Sequence, residues 1–350
     1  MRAVVKTAVG PGQIATIDWP DPEESRGDAI VRVRQSGLCG TDLLVQDSVY
    51  KGRNRPMCCP LIIGHEASGE VVAVGPGVDG LRVGARVAIE AVSGCGRCFH
   101  CLRGRYNLCQ DWHHIGLTRH GVLAELVALP ASALIPLPDE VGDEAAAFLE
   151  PLATAVQTLE RIAPRPGDTA AIIGPGPLGL LHLQLLQAAG VGPLLVLGRA
   201  GDEARLALAR SLGADVAIVN DRGGAIDLAM RRTGGIGMGI VVEAAGSSAA
   251  VQTALDIVGG GGVMATLGIV SPVEIDALSV MRKNLTWIGV VSSVRRHFAE
   301  AIRLIQAGKI RPELLTTHRF ALEDALLGFD ALRRREAVKV MFEPGISPRA

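Results

Sequence analysis

Four of the seven cysteines in this 350-residue chain crowd one short stretch: Cys95, Cys98, Cys101 and Cys109, a C-x2-C-x2-C-x7-C run. Four thiolates this close on one loop can close a tetrahedral shell around Zn2+ without help from elsewhere. Gly94, Gly96 and Gly104 let such a loop wrap. No position is left open, so the site reads as structural. A disulfide framework is the competing use of cysteine, and an odd count without a secretory context speaks against it. The C-x2-C-x2-C-x3-C-P run of iron–sulfur sites is not matched. A second set is dispersed: Cys39 in Gly37-Leu-Cys-Gly-Thr-Asp42, His65 and Glu66 in Gly64-His-Glu, and Glu150 in Glu150-Pro-Leu. Singly each has a bland use, as a buried small thiol or a satisfied or solvated side chain. Spacing alone does not bring them together.

A third cluster suits phosphate. Gly174, Gly176 and Gly179 make G-x-G-x-x-G, with Pro177 and Leu178 inside it. The three glycines would serve a tight turn, backbone access to a pyrophosphate, and close helix–strand packing, with free N–H groups at the helix start facing the phosphate. A Gly-rich turn is weak by itself. Here an apolar strand, Thr169–Ile173, precedes it, and a helical run to Ala189 follows. At the end of the next strand an acid would select a free ribose 2′-hydroxyl. This chain has Gly198-Arg199-Ala200-Gly201 there, with the first acid at Asp202. Arg199 and Arg205 are therefore candidates to meet a 2′-phosphate, which favours NADP over NAD; the alternative is that both are solvated. Gly268, after a later strand, is a further candidate for the dinucleotide.

These residues need two kinds of scaffold. Up to about residue 150 the chain reads as short strands with Gly and Pro punctuation: Ile30–Arg34, Gly69–Val74, Arg82–Ile89 and Gly121–Leu129. After Pro164–Gly167 the texture changes to strands alternating with helices, the pattern of βαβ units and a parallel, doubly wound Rossmann sheet. Its strands are expected at Thr169–Ile173, Pro193–Leu197, Asp215–Val219, Ile240–Ala244, Gly262–Gly268 and Leu285–Val291. The tail, with helices at Phe298–Gln306 and Leu322–Arg333 and a strand at Val338–Phe342, is expected to return to the first domain. The expected division is 1–152 plus 293–350, carrying both residue sets and a structural lobe at 94–110, and 153–292 for the dinucleotide.

Composition narrows the function classes. Lys plus Arg number 35 and Asp plus Glu 36, so no basic field exists to hold a nucleic acid. Aromatic residues at 3% leave little for base stacking. No apolar run approaches a membrane span, and Met1–Gly10 lacks the features of a signal peptide. A cytoplasmic protein is expected.

Together the motifs resemble one family, the zinc-dependent medium-chain dehydrogenases, within the group of threonine, polyol and sugar dehydrogenases. The resemblance runs over nearly the whole chain: Gly37–Asp42, Gly64–Glu66, the glycine turns through Gly84, the four-cysteine lobe, Glu150–Leu152 and the nucleotide fold, in the family's order. It implies an α/β protein with a β-rich GroES-like catalytic domain beside the Rossmann domain. It implies two zinc ions per chain and NAD or NADP, with a homo-oligomer, tetramer or dimer. Cys39 and His65 would be catalytic zinc ligands, completed by Glu66 or Glu150. The metal would acidify a secondary alcohol, whose alkoxide passes a hydride to the nicotinamide; Thr41 would take the hydroxyl proton. The substrate would be a polyol, sugar derivative or amino alcohol. A zinc-ribbon module binding nucleic acid or protein, without redox chemistry, is the alternative that the four-cysteine loop alone would permit.

Two departures stand out. Many relatives place a His two residues past the Asp of the first motif, and this chain has Leu44. Polyol dehydrogenases tend to carry an Arg where Ser292 stands, with Arg295 and Arg296 only slightly later. His113, His114 and His120 are candidates for the substrate site, with at least two of them expected at the surface.

Overall fold

A computed structural model of the chain describes residues 1–50, 57–220, 224–268 and 272–345. The chain divides into two compact units. One takes residues 1–153, 292–306 and 312–350; the other takes 154–291 and 307–311.

In the first unit, strand Asp28–Leu38 is the organiser. Its first half alternates buried Val31 and Val33 with exposed Arg32 and Arg34, the period of a half-buried strand. It pairs antiparallel with Glu66–Val74, with Leu126–Pro130 and, at its C-terminal end, with Lys339–Phe342. The last of these is the returning tail. In register, Gly37 faces both Glu66 and Met341. One core lies beneath these strands, from Val31, Val71, Val87, Ile89, Val127 and Leu129.

Two expected strands form only in part. Residues Arg82–Ile89 were expected to form one strand, but only Arg86–Ile89 pairs, because Gly84 at φ +83° turns the chain just before it. Of Gly121–Leu129, only the end joins the sheet, as Leu126–Pro130. Gly121 and Val122 instead donate to the carbonyls of Ile62 and Gly64. That stretch wraps the turn before His65.

The second unit is a six-stranded parallel sheet. Its order is Val216–Val219, Leu194–Gly198, Ala170–Ile173, Met238–Glu243, Val258–Thr266, Thr286–Gly289. The central strands are continuous apolar runs, buried on both faces as a helix-covered parallel sheet requires. The order reverses beside Ala170–Ile173, the switch point where doubly wound sheets bind dinucleotides. Among the described residues, no helix is long and apolar enough to cross a membrane.

Candidate active site

Cys39 is the N-cap of the short helix Gly40–Gln46, and its N–H donates to Asp42 Oδ2 at 2.9 Å. The thiol is thereby fixed at a strand-to-helix corner. His65 follows Gly64, whose φ of +87° favours glycine. A Cβ on Gly116 or Gly121 would lie within 2.3 Å of the Gly64 carbonyl oxygen, so this turn is clamped by bare backbone. Glu66 then opens its strand opposite Gly37. The result is a convergence: ligand atoms of Cys39, His65 and Glu66 all lie within 4.8 Å of one another. Thr41 Oγ1 stands 3.6 Å from Cys39 Sγ.

Acids surround this trio. Fully buried Asp42 sets Oδ1 3.7 Å from His65 Nδ1, and neither atom has a hydrogen-bond partner. Nδ1 therefore faces the carboxylate and leaves Nε2 for a metal, the arrangement in which an outer acid orients a ligating imidazole. Burial alone would lower the His65 pKa. Asp42, Cys39 and Glu150 overcome that and hold it well above its ordinary value. Burial raises Asp42. Glu150, in helix Leu149–Ile162, is pushed up to about 7 by burial, with Glu66 adding to it. Glu150 is thus an electrostatic neighbour of His65, but its carboxylate is not part of the three-residue convergence.

Two residues of this centre, Asp42 and Lys339, were not assigned a role from the sequence. Asp42 ends the Gly37–Asp42 motif. Lys339 is buried, ion-paired to Glu66, and sits 5.3 Å from the Phe148 ring centroid; a lysine inside the apolar run Val338–Phe342 was the available signal. His114 packs its ring 5.1 Å from that of His65. Of the three candidate histidines 113, 114 and 120, one rather than the expected two or more is at the surface. His120 is exposed, His113 half-buried and His114 buried.

The four-cysteine lobe is a second convergence. The sulfurs of Cys95, Cys98, Cys101 and Cys109 lie within 4.8 Å of one another, and none forms a disulfide. The loop closes through two short 3-10 turns, Cys101–Arg103 and Tyr106–Leu108. Gly94 is obligatory, since a Cβ there would lie 2.5 Å from Cys101 Sγ. The Cys101 N–H and burial act in opposite senses on Cys98, and the N–H wins, drawing the thiol down to about 6. A thiolate readied in this way fits Zn2+, while burial holds the Cys101 thiol up at about 12. Tyr106 fastens the lobe: its hydroxyl bonds Glu90 and accepts from the Arg295 N–H at 2.6 Å. Arg295 is in turn bound to the carbonyls of Ser132 and Leu134.

In the second unit, Gly174 has φ +103°, and a Cβ there would lie 2.8 Å from the Ala245 nitrogen. Gly176 is the N-cap of helix Pro177–Ala188, and a Cβ on it would meet nothing within 4 Å. A Cβ on Gly179 would lie 2.1 Å from the Gly174 carbonyl oxygen. The three glycines thus give turn, open approach and tight packing respectively, with Pro177 and Leu178 starting the helix. Gly268 is pressed against Gly246, where a Cβ would lie 2.3 Å from the nitrogen. At the end of the neighbouring strand, Gly198 abuts Asp202, whose Oδ2 accepts from the Arg199 N–H at 3.1 Å. The Arg199 residue is exposed, whereas Arg205 is buried, with Nε 3.9 Å from Asp202 Oδ1.

Comparison with known proteins fits this geometry. The alcohol dehydrogenase GroES-like domain model matches residues 25–139, and the glucose dehydrogenase C-terminus model matches residues 145–343. The chain belongs to the zinc-dependent medium-chain dehydrogenases. A sorbitol dehydrogenase of Halalkalibacterium halodurans is 31% identical over 98% of this chain and 99% of its own. An L-threonine 3-dehydrogenase of Pyrococcus horikoshii is 33% identical over 98% of both. The structure of alcohol dehydrogenase TADH from Thermus sp. ATN1 superposes with a TM-score of 0.89 at 31% identity, covering 98% of this chain and all of that one. As a medium-chain dehydrogenase, the protein is a zinc- and NAD(P)-dependent alcohol oxidoreductase.

Proposed function

We propose that the protein oxidises a secondary alcohol, namely a polyol, sugar derivative or amino alcohol, and reduces the corresponding ketone in reverse. In this reading Cys39, His65 and Glu66 hold the catalytic zinc, with Glu150 as the alternate carboxylate. Cys95, Cys98, Cys101 and Cys109 hold the structural one. The observation that carries it is the convergence of thiol, imidazole and carboxylate within 4.8 Å. The orphaned Asp42–His65 contact supports it, because a metal on Nε2 fixes the proton on Nδ1, where Asp42 accepts it. When bound, Zn2+ supplies Lewis-acid polarisation of the alcohol oxygen, and the nicotinamide supplies the hydride acceptor.

The chain's own residues do the rest. Cys39 and Glu66 supply two negative charges, matched to a divalent ion, and Lys339 anchors the carboxylate. Thr41, beside the ligand thiol, takes the substrate's hydroxyl proton. Leu44 carries no proton, so the proton leaves from Thr41 through water or the cofactor ribose. The glycine turn at Gly174–Gly179 receives the pyrophosphate. NADP is used at least as well as NAD: no acid stands at Gly198–Gly201, and the Asp202 carboxylate already accepts from Arg199. The free cysteines accord with a reducing cytoplasm. Phe99 and Leu102, exposed on the lobe at 63% and 75%, accord with a homo-oligomer.

The test is a panel of polyols, sugars, amino alcohols and simple secondary alcohols assayed with NAD+ and NADP+. Turnover in the panel is expected, and none would reject the reading. Arg199→Ala should cost NADP+ roughly tenfold more in kcat/KM than NAD+, the scale of one charge-assisted hydrogen bond. Equal losses would place Arg199 in solvent.

A further inference from the structure

We propose that His114 sets the substrate class of the alcohol site. Its Nε2 accepts a hydrogen bond from a second hydroxyl of the substrate, so that vicinal diols and polyols are selected over mono-alcohols. This rests on the function proposed above.

The position comes first. His114 pairs with Val92 in a two-residue ladder. Its ring stands edge-on between two others, 5.1 Å from His65 and 5.5 Å from Trp112, with interplanar angles of 76° and 78°. The backbone is fixed as well, since the His114 N–H donates to Thr118 Oγ1 at 2.8 Å.

The tautomer follows from one contact. Nδ1 lies 2.6 Å from the Ile115 carbonyl oxygen. A carbonyl only accepts, so Nδ1 carries the proton. A neutral imidazole carries its proton on one nitrogen only. Nε2 is then a bare acceptor. It has no hydrogen-bond partner among the described residues, yet it is not among the sealed polar atoms. A ligand can therefore reach it.

The residue is not spent elsewhere. His114 lies outside both sets of converging metal-donor atoms. Nδ1 serves the Ile115 carbonyl, which leaves Nε2 as the nitrogen without a structural use. What nitrogen adds is an oriented acceptor beside a metal ligand. The reacting hydroxyl gives its proton to Thr41, so the donor for Nε2 is a different hydroxyl. A site built to bond a hydroxyl rejects the analogue that lacks it, because its own polar group is then left unpaired.

The experiment compares 2,3-butanediol with 2-butanol, which differ by one hydroxyl. It measures kcat/KM for both with NAD+ and NADP+, together with zinc content, in wild type, His114→Phe and His114→Gln. The wild type is expected to favour the diol by roughly 10–100-fold. His114→Phe should collapse that ratio toward unity with two zinc per chain retained. His114→Gln, which places an acceptor near the Nε2 position, should recover part of the ratio. If His114→Phe does not fold, His114→Leu carries the comparison. A wild type with no diol preference, or a preference that survives the apolar variant, overturns the proposal. A wild type inactive on both alcohols and on the wider panel rejects the underlying function instead, and this proposal with it.

Discussion

Gly37 holds its place at the catalytic centre by having no side chain. A Cβ there would lie 2.4 Å from Glu66 Oε2 and 2.8 Å from Lys339 Cε. The buried ion pair fills the space a larger residue would need. Gly37→Ala should therefore destabilise the protein by about 1–3 kcal/mol, the range for overpacking a dense interior, and lower zinc retention by displacing Glu66. Gly40→Ala is the comparator, because a Cβ there meets nothing within 4 Å. Melting temperature and zinc content of the two variants check this, and equal behaviour would deny the ion pair its place. Cys39→Ser removes one thiolate from the converging trio. Turnover should fall at least a thousandfold, while zinc drops from two to one per chain and the fold persists. Near-normal kcat, or loss of both zincs, would contradict the division of the ligands into two sets.

At the scale of elements, what the sequence disclosed depended on how local each site is. The cysteine lobe and the glycine turn were legible because each is one loop, with ligand types or glycines at fixed offsets. Cys39, His65 and Glu150 belong to three elements, and nothing in their spacing brings them together. Pairing of Asp28–Leu38 with Glu66–Val74 does so for Cys39 and His65. Lys339 arrives from the C-terminal strand through a second long-range pairing, and only burial shows what that lysine balances. The lobe is a self-contained element, and its loss should look different from loss of the catalytic cysteine. Cys98→Ser leaves three thiolates around a metal whose binding supports the local fold. The melting temperature should fall and one zinc should be lost, with activity declining only as the protein unfolds. Tyr106 links the lobe to Glu90 and Arg295, so loosening should reach residues 292–298, where hydrogen exchange can follow it. An unchanged melting temperature with full zinc would reject the structural assignment.

At the scale of the whole molecule, a net charge of −1 gives little global repulsion, so the pH dependence of stability rests on particular buried groups. His182 is the clearest of them away from the zinc sites. It lies fully buried in helix Pro177–Ala188, with Nδ1 2.7 Å from the Leu178 carbonyl oxygen and Nε2 unpartnered. Burial pushes its pKa down to about 4, against an ordinary value of 6.5. Above pH 6.5 the ring is neutral in folded and unfolded chains alike, and its contribution is fully present. As the pH falls below 6.5, the unfolded chain takes up a proton that the folded chain refuses until about pH 4. Stability is lost across that window, by about 2 kcal/mol between pH 7 and pH 5. His182→Leu keeps an apolar side chain in an apolar helix and removes the titration. Denaturation midpoints of wild type and variant should therefore converge or cross as the pH falls from 7 to 5, the variant losing less. Carboxylates that titrate in the same range act on both proteins and cancel in the difference. Parallel curves would mean that the folded protein opens to let His182 accept its proton near the ordinary pH.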